Sequence, residues 1–498
     1  RARNYREIRR SFEAQNMDHP VEEPIVSSSP LPPEVKVEPL KVEQNLAAET
    51  KAFVPDALEI DADVPRKPKR SSIAMSLFSR NVQAASGQAV PRVSSLFETC
   101  TAVMARDFIQ VPNYKDLPPK FRHGISNLLR PDQTLPIDLA VSCVDDEEYW
   151  KRCAQHKYEN CQLAQHGNSW KQLYCEKYIK EVVEEYDPAV SDLGELKKLL
   201  SALQSRIRGL SLSQLPSHLD MAILFEHLQN LNSLALTYDM RNVGMNYERS
   251  LFGMKMADCV TLSRSLPLLQ SLTSLNLSRN TIDDEKVRMV AQGLADNFTV
   301  TTIDLSHNRI ADRGVRALAR ILADKCVIDT LDLSDNQIHT GGGKALGKAL
   351  RKNDTLQVLN LRLNRLGDEG GRLLFEGMLS NSTLQTLNVS SNALEVECAR
   401  AIAAVGRSNE ELVLCDLDLS SNPLTEEGGR LLRDLDANRT LTRMDLRETG
   451  IGVDNEAVLI EIVKRNEKEA LAFLKQKGTG DDYIDQRGSS FSRSPIPA

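Results

Sequence analysis

What this chain lacks narrows it first. No run of about 18 apolar residues occurs anywhere in its 498 residues, so no segment reads as a membrane-spanning helix. An excess of basic charge is missing too: 62 Lys and Arg stand against 69 Asp and Glu. The formal net charge of −7 has the wrong sign for a general nucleic-acid binder. The nine cysteines are odd in number and scattered, which predicts reduced thiols in the cytosol rather than a disulfide framework. Cys143, Cys153, His156, Cys161, His166 and Cys175 crowd one region but form no C-x-x-C or H-x₃₋₅-H pair. They read as buried thiols and surface imidazoles, not as a zinc module or a Cys–His nucleophile. No G-x-S-x-G, H-E-x-x-H, EF-hand loop or kinase set is present, so no enzyme reading has a foothold and no cofactor is expected. The chain opens on Arg1 with no signal-peptide core, so its native start is expected to lie upstream.

What is present is a ladder. Between Leu272 and Ile451 one phrase recurs seven times, apolar-x-x-apolar-x-apolar-x-x-Asn-x-apolar. Its asparagines are Asn280, Asn308, Asn336, Asn364, Asn392 and Asn422, stepping by 28, 28, 28, 28 and 30 residues, with Thr449 in the last place. Each L-x-L predicts a short strand with its leucines inward, and the asparagine amide can satisfy backbone groups opened by the turn. Between strands the period lengthens toward 3.6, with an apolar column at Val290, Leu318, Leu346, Leu374, Ile402 and Leu432. This is a leucine-rich repeat of the long, ribonuclease-inhibitor-like class, an α/β solenoid of period about 28 with strands on its concave side.

The rest of the chain divides around that array. Residues 1–91 are expected to be an extended or disordered arm, proline-rich and acidic, with a basic patch at Arg66, Lys67, Lys69 and Arg70 read as solvated linker. Residues 92–205 predict a helical domain capping the first repeat, with Trp170, Tyr174, Tyr178 and Val182 on one row. The repeat arc is placed at 206–454, beginning with degenerate units and helices near 191–204 and 218–229. A closing helix follows at 455–477 and a flexible tail at 478–498. Gly341-Gly342-Gly343-Lys344 imitates a phosphate loop, but Ala345 stands where the motif needs a hydroxyl, so it reads as repeat structure.

Two regions are candidates for binding a partner. Asp304, Asp332, Arg362, Asp418, Asp445 and Arg447 fall at outward positions of the strands. The predominantly acidic, serine-lined surface suits a basic protein segment, and reversing Asp332 and Asp418 is expected to weaken that partner without disturbing the fold. The second candidate is an insertion at about Met240–Phe252, with Tyr238, Arg241, Asn242 and Tyr247 as possible contacts.

The block Leu236-Thr-Tyr-Asp-Met-Arg-Asn-Val-Gly-Met-Asn-Tyr-Glu248 departs from the repeat grammar. It resembles the corresponding block of the leucine-rich-repeat subunits of the nexin-dynein regulatory complex of motile cilia and flagella. Leu359-Asn-Leu-Arg-Leu-Asn-Arg-Leu-Gly-Asp-Glu-Gly-Gly371 and Asp116-Leu-Pro-Pro119 with the aromatic region 149–183 carry the same likeness, which runs from about residue 92 to about 465. The resemblance implies a non-enzymatic scaffold in the cytoplasm and cytoskeleton, at the axoneme of the cilium or flagellum. It would link doublet microtubules and regulate dynein-driven motility. Implied partners are other subunits of that complex, coiled-coil and leucine-rich-repeat ones among them, and indirectly inner dynein arms or doublet microtubules, with no nucleic acid and no membrane. From the residues alone, a soluble regulator or inhibitor clasping a partner in the concave face stays open.

Overall fold

The computed structural model describes residues 95–476 except 111, 113–115, 132–134, 188–189, 216–218, 240–251, 325 and 410, and the side chains of 473–476 are also left aside. The arm, the basic patch at Arg66–Arg70, most of the insertion and the tail lie outside the described residues.

Nine parallel strands form one sheet whose spatial order is the chain order: β1 (Gly209–Leu212), β2 (Ser233–Leu236), β3 (Ser274–Asn276), β4 (Thr302–Asp304), β5 (Thr330–Asp332), β6 (Val358–Asn360), β7 (Thr386–Asn388), β8 (Asp416–Asp418) and β9 (Arg443–Asp445). Register follows the leucines, with Leu275, Ile303, Leu331, Leu359, Leu387, Leu417 and Met444 in one row. A strand of three residues buries too little to hold by itself. Stacked in register, its inward leucines are completely enclosed, each contributing roughly 1.5–3 kcal/mol.

Helices return the chain between strands. Those of the regular repeats are α9 (Asp284–Ala295), α10 (Asp312–Leu322), α11 (Thr340–Leu350), α12 (Gly367–Gly377), α13 (Val396–Ser408) and α14 (Thr425–Leu432), and the predicted column from Val290 to Leu432 lies buried beneath them. Strands pack about 4.8 Å apart and helices about 8–10 Å, so the sheet side is the concave one. Several helix starts are capped from the preceding unit. Asp284 accepts from the N–H groups of Ala311 and Gly314, Asp312 from His339 and Gly342, and Asp368 from Glu395, Glu397 and Cys398.

Before β1 lie α1 (Leu96–Arg106), α2 (Pro119–Leu128), α3 (Ile137–Cys143), α4 (Glu147–Lys157), α5 (Trp170–Glu184) and α6 (Leu193–Leu203). Trp150 anchors them: it is 1% exposed, donates Nε1–H to the Val144 carbonyl at 2.9 Å, and packs its ring 5.3 Å from both Tyr149 and Tyr174. α5 also covers the open edge of the sheet. Its Glu176 accepts from the N–H groups of Arg208 and Gly209, both at 2.8 Å, and its Glu184 from those of Ser213 at 2.5 Å and Gln214 at 3.3 Å. Carboxylates therefore occupy edge donors that would otherwise be open to another chain. One continuous apolar core runs from Phe108 to Ile462.

The degenerate units include α7 (Ala222–His227) and α8 (Met256–Ser265), the former shorter than the 218–229 segment expected. The last helix, α15 (Val453–Gln476), starts two residues before the expected 455 and buries Leu459 and Ile462. Its Asn466 donates to the Leu441 carbonyl at 3.0 Å, covering the far end of the array. Gly341–Lys344 forms the first turn of α11, where Gly342 and Gly343 are buried by packing.

Candidate docking face

Every rung asparagine reaches into the preceding unit. Asn336 is typical: Oδ1 accepts from the Ile310 N–H at 3.0 Å, while Nδ2 donates to the carbonyls of Leu305 (3.0 Å), Leu333 (3.0 Å) and Ser334 (3.2 Å). Asn308, Asn364, Asn392 and Asn422 repeat the set. At the end of the array Thr449 only closes on its own unit, donating to Leu446 at 2.6 Å. These side chains are buried and fully used in holding the units together.

To aim each rung residue inward, six asparagines and Thr449, the residue before it takes a left-handed backbone. Arg279, His307, Asp335, Leu363, Ser391, Ser421 and Glu448 all have φ between 50° (Asp335) and 60° (Arg279). An L-residue there is strained by roughly 1–2 kcal/mol, which the bonds of the following asparagine offset in six of the seven cases and the Thr449–Leu446 bond in the last. The same twist turns these side chains outward; all but half-buried Ser391 are exposed. His307 Nδ1 meets Asp335 Oδ2 at 2.7 Å, and the Ser421 hydroxyl donates to Glu448 at 2.8 Å. Nothing in the amino-acid pattern marks this row, because its residue types share no property.

The acids predicted at the strand face are in part committed elsewhere. Asp332 Oδ1 accepts from the Ser334 N–H at 2.8 Å and hydroxyl at 2.6 Å, and Oδ2 from Asn360 Nδ2 at 2.8 Å. Asp418 holds Ser420 and Asn388 in the same way, and Asp304 holds Ser306 and Asn276. Asp304 and Asp332 face each other in register, as do Asp418 and Asp445, and in both pairs the acids find their partners elsewhere. Each half-buried aspartate is therefore a strand brace as well as a surface charge. The expectation that reversing Asp332 and Asp418 leaves the fold untouched is corrected: a lysine there forfeits three hydrogen bonds. Asp445 pairs with Arg447 Nη2 at 2.5 Å, and hydrogen bonding to that guanidinium holds the carboxyl below its ordinary range against the opposing effect of burial. Arg362 alone of the six predicted strand-face residues is both exposed and without an ion pair among the described residues.

Of the insertion residues, Arg241, Asn242 and Tyr247 lie outside the described residues. Tyr238 is described and is 1% exposed, its ring sealed in the core where β2 leads into the insertion. An apolar enclosure won over the expected surface role, and burial drives its phenol far above the usual range. Of the crowded cysteines, Cys153 and Cys175 are buried and behave as small apolar residues, while Cys143 and Cys161 are half-buried; burial pushes the Cys175 thiol up to about 12, and the same desolvation raises Cys153.

A second asparagine series also escaped the sequence reading. Asn297, Asn353, Asn381 and Asn438, each opening an N-x-T-[LV] phrase, accept from N–H groups two and three residues onward; Asn297, Asn353 and Asn381 also donate to helix-end carbonyls of the preceding unit. In the unit between Asn297 and Asn353 a cysteine one place later takes over part of this role: the Cys326 sulfur accepts the Ile328 N–H at 3.3 Å. The recurrence of N-x-T at a 28-residue step from Asn353 to Asn381 was the available signal.

Comparison with known proteins agrees with this geometry. The family model described as Leucine Rich repeat matches residues 269–287, 296–319, 326–347, 352–375 and 380–403. The chain is 46% identical over 198 residues to dynein regulatory complex subunit 5 of Chlamydomonas reinhardtii, a match covering 40% of this chain and 50% of that protein. It is 30% identical over 233 residues to the human protein of the same name, covering 41% of this chain and 46% of the relative. The match thus spans about half the length of these curated relatives. Among solved structures, an internalin from Listeria monocytogenes aligns at 19% identity and a TM-score of 0.32, covering 51% of this chain and 64% of that one, a likeness too slight to add to the argument. The chain is a leucine-rich-repeat solenoid with curated homologues among dynein regulatory complex subunits.

Proposed function

We propose that this chain is a non-enzymatic scaffold subunit of the dynein regulatory complex, working at the axoneme of a motile cilium or flagellum by holding neighbouring subunits in fixed relation. The observation that carries the reading is the 46% identity to dynein regulatory complex subunit 5 over 198 residues. The physical organisation supports it. Buried rung asparagines, bracing aspartates and capping carboxylates are spent on rigidity, which is what an inert frame transmitting sliding forces between doublet microtubules needs. Docking would fall to residues left over from that work: Arg362, the outward left-handed row, and the insertion with Arg241, Asn242 and Tyr247.

Demembranated axonemes carrying the tagged full chain test this. A scaffold subunit remains in the pellet through low-salt washing and leaves only when salt screens its charged contacts, together with other subunits of the complex. A chain that washes out with the soluble fraction at low salt overturns the reading and favours a free regulator instead.

A further inference from the structure

The convex side carries a feature that the docking reading above does not use. α10 and α11 lie side by side with a groove of about 610 Å³ between them. Its floor is small and apolar, including Ala319, Ala323, Ala345 and Ala349. Its banks are cationic: Arg316 and Arg320 on α10, Lys344 and Lys348 on α11, and Arg351 and Lys352 just beyond, all six exposed. Among the described residues none of these six has an ion pair. The flanking helices differ. On α9, Arg288 is held by Glu285 at 2.7 Å, and on α12, Arg372 is held by Glu369 at 2.7 Å and also by Glu376. Asp312, whose carboxylate lies against Gly341 in the lining, is consumed by capping α11. Six unpaired cations thus concentrate on two repeats of a chain whose net charge is −7.

Packing on the other side of α11 explains why a groove opens here. A methyl on Gly347 would sit 2.2 Å from the Leu373 carbonyl oxygen, and one on Gly343 would sit 2.5 Å from that of Gly370. Glycine therefore lets α11 press backbone to backbone against α12, whereas α10 meets α11 across alanines. The result is a trough running along the helix axes.

We propose that this trough docks an acidic α-helix from a partner protein. Eleven-residue helices make each bank about 16 Å long, so the occupant is a helix of about three turns. Alanine on the floor lets a third helix approach closely. Arg316 with Arg320, and Lys344 with Lys348, repeat at i, i+4, the spacing at which carboxylates recur along the two flanks of one helix. Acids on α9 and α12 bound the patch sideways, which confines the occupant to the trough and disfavours a long polyanion laid across the repeats. The inference deepens the scaffold reading by naming a face and a partner chemistry, and it rests on that reading only for which complex supplies the helix.

The experiment uses the full chain in solution, apart from any axoneme. A fluorescein-labelled helical peptide with glutamate at every fourth position and alanine between is titrated with protein by fluorescence anisotropy at low salt. A lysine-for-glutamate peptide and a single-stranded oligonucleotide of equal charge run in parallel. The acidic peptide is expected to bind saturably, and R316E/K348E to weaken it by roughly tenfold or more with an unchanged melting curve. K197E/K198E, the same change of charge at two exposed lysines of α6 outside the trough, should leave binding as it is. Absence of saturable binding overturns the proposal, as does equal affinity in R316E/K348E. An oligonucleotide that outcompetes the peptide overturns it in favour of nucleic acid. Failure of the salt-extraction test with peptide binding intact would sink only the axonemal reading.

Discussion

Replacing Asn336 separates hydrogen bonding from mere packing in the ladder. In N336A the three carbonyls that receive Nδ2 keep other donors: Leu305 retains Asn308, Leu333 retains Asn364, and Ser334 retains the His307 N–H. Only the Ile310 N–H, which pointed at Oδ1, is left unpaired in the core. One orphaned buried donor plus a small cavity gives a loss of about 2–4 kcal/mol. N336D is nearly isosteric and keeps an acceptor for Ile310, yet its second oxygen faces three carbonyl oxygens. At neutral pH it should therefore be the worse variant, by about 3–5 kcal/mol relative to wild type. Its pH dependence fixes the cause. The introduced carboxyl has a folded-state pKa raised above its unfolded value, so the defect is full above the folded value and shrinks as pH falls through it, because a protonated oxygen can donate. Guanidinium unfolding followed by circular dichroism supplies the free energies. Hydrogen exchange of a peptide spanning Leu305–Asp312 reports whether the Ile310 amide loses protection. If N336D is as stable as wild type at pH 7, or if its defect grows on acidification, the account of the ladder is wrong.

Other outcomes are equally definite. L333A removes a completely enclosed side chain and should lower stability by about 2–5 kcal/mol, so an unchanged melting profile would contradict the core assignment. G347A drives a methyl against the Leu373 carbonyl and should destabilise by about 1–3 kcal/mol in thermal melts, although alanine is the better helix former; a stabilised variant would refute the close approach of α11 and α12. Asp146 caps α4 through the Glu148 N–H at 3.0 Å. Burial tends to raise its pKa, but hydrogen bonds from Ser126 and His123 outweigh that and hold it below the ordinary value. A depressed carboxylate stabilises fully above its unfolded pKa of about 3.9, and that stability is lost as pH falls through the folded value. D146A should accordingly cost about 1–2 kcal/mol at neutral pH and converge with wild type in acid, which a pH series of melts would reveal.

The repeat was legible in the sequence because leucine and asparagine do the same job at every rung, and a repeated job leaves a repeated letter. Strand register from Leu275 to Met444 and the buried column from Val290 to Leu432 follow directly. The candidate docking face was harder to read. Asp332 and Asp418 are hydrophilic whether they brace a strand or meet a partner, and alternation in a strand reports only which side a residue faces. The burial of Tyr238 is not legible because it borders an irregular block, where periodicity no longer separates inside from outside. The basic trough depends on two helices 28 residues apart in sequence coming side by side, a juxtaposition that no single helix displays.

The backward reach of the rung asparagines gives the array a direction. Each unit leaves at its C-terminal seam an N–H that only the amide of the following unit can take, as Ile310 waits for Asn336 and Ile338 for Asn364. A ribosome delivering this chain completes one seam with each unit that emerges, while the earliest strand is sealed in advance by the carboxylates of α5. Nascent or truncated forms are therefore raw at their newest end, and that end is where a chaperone or a wrong neighbour would find purchase.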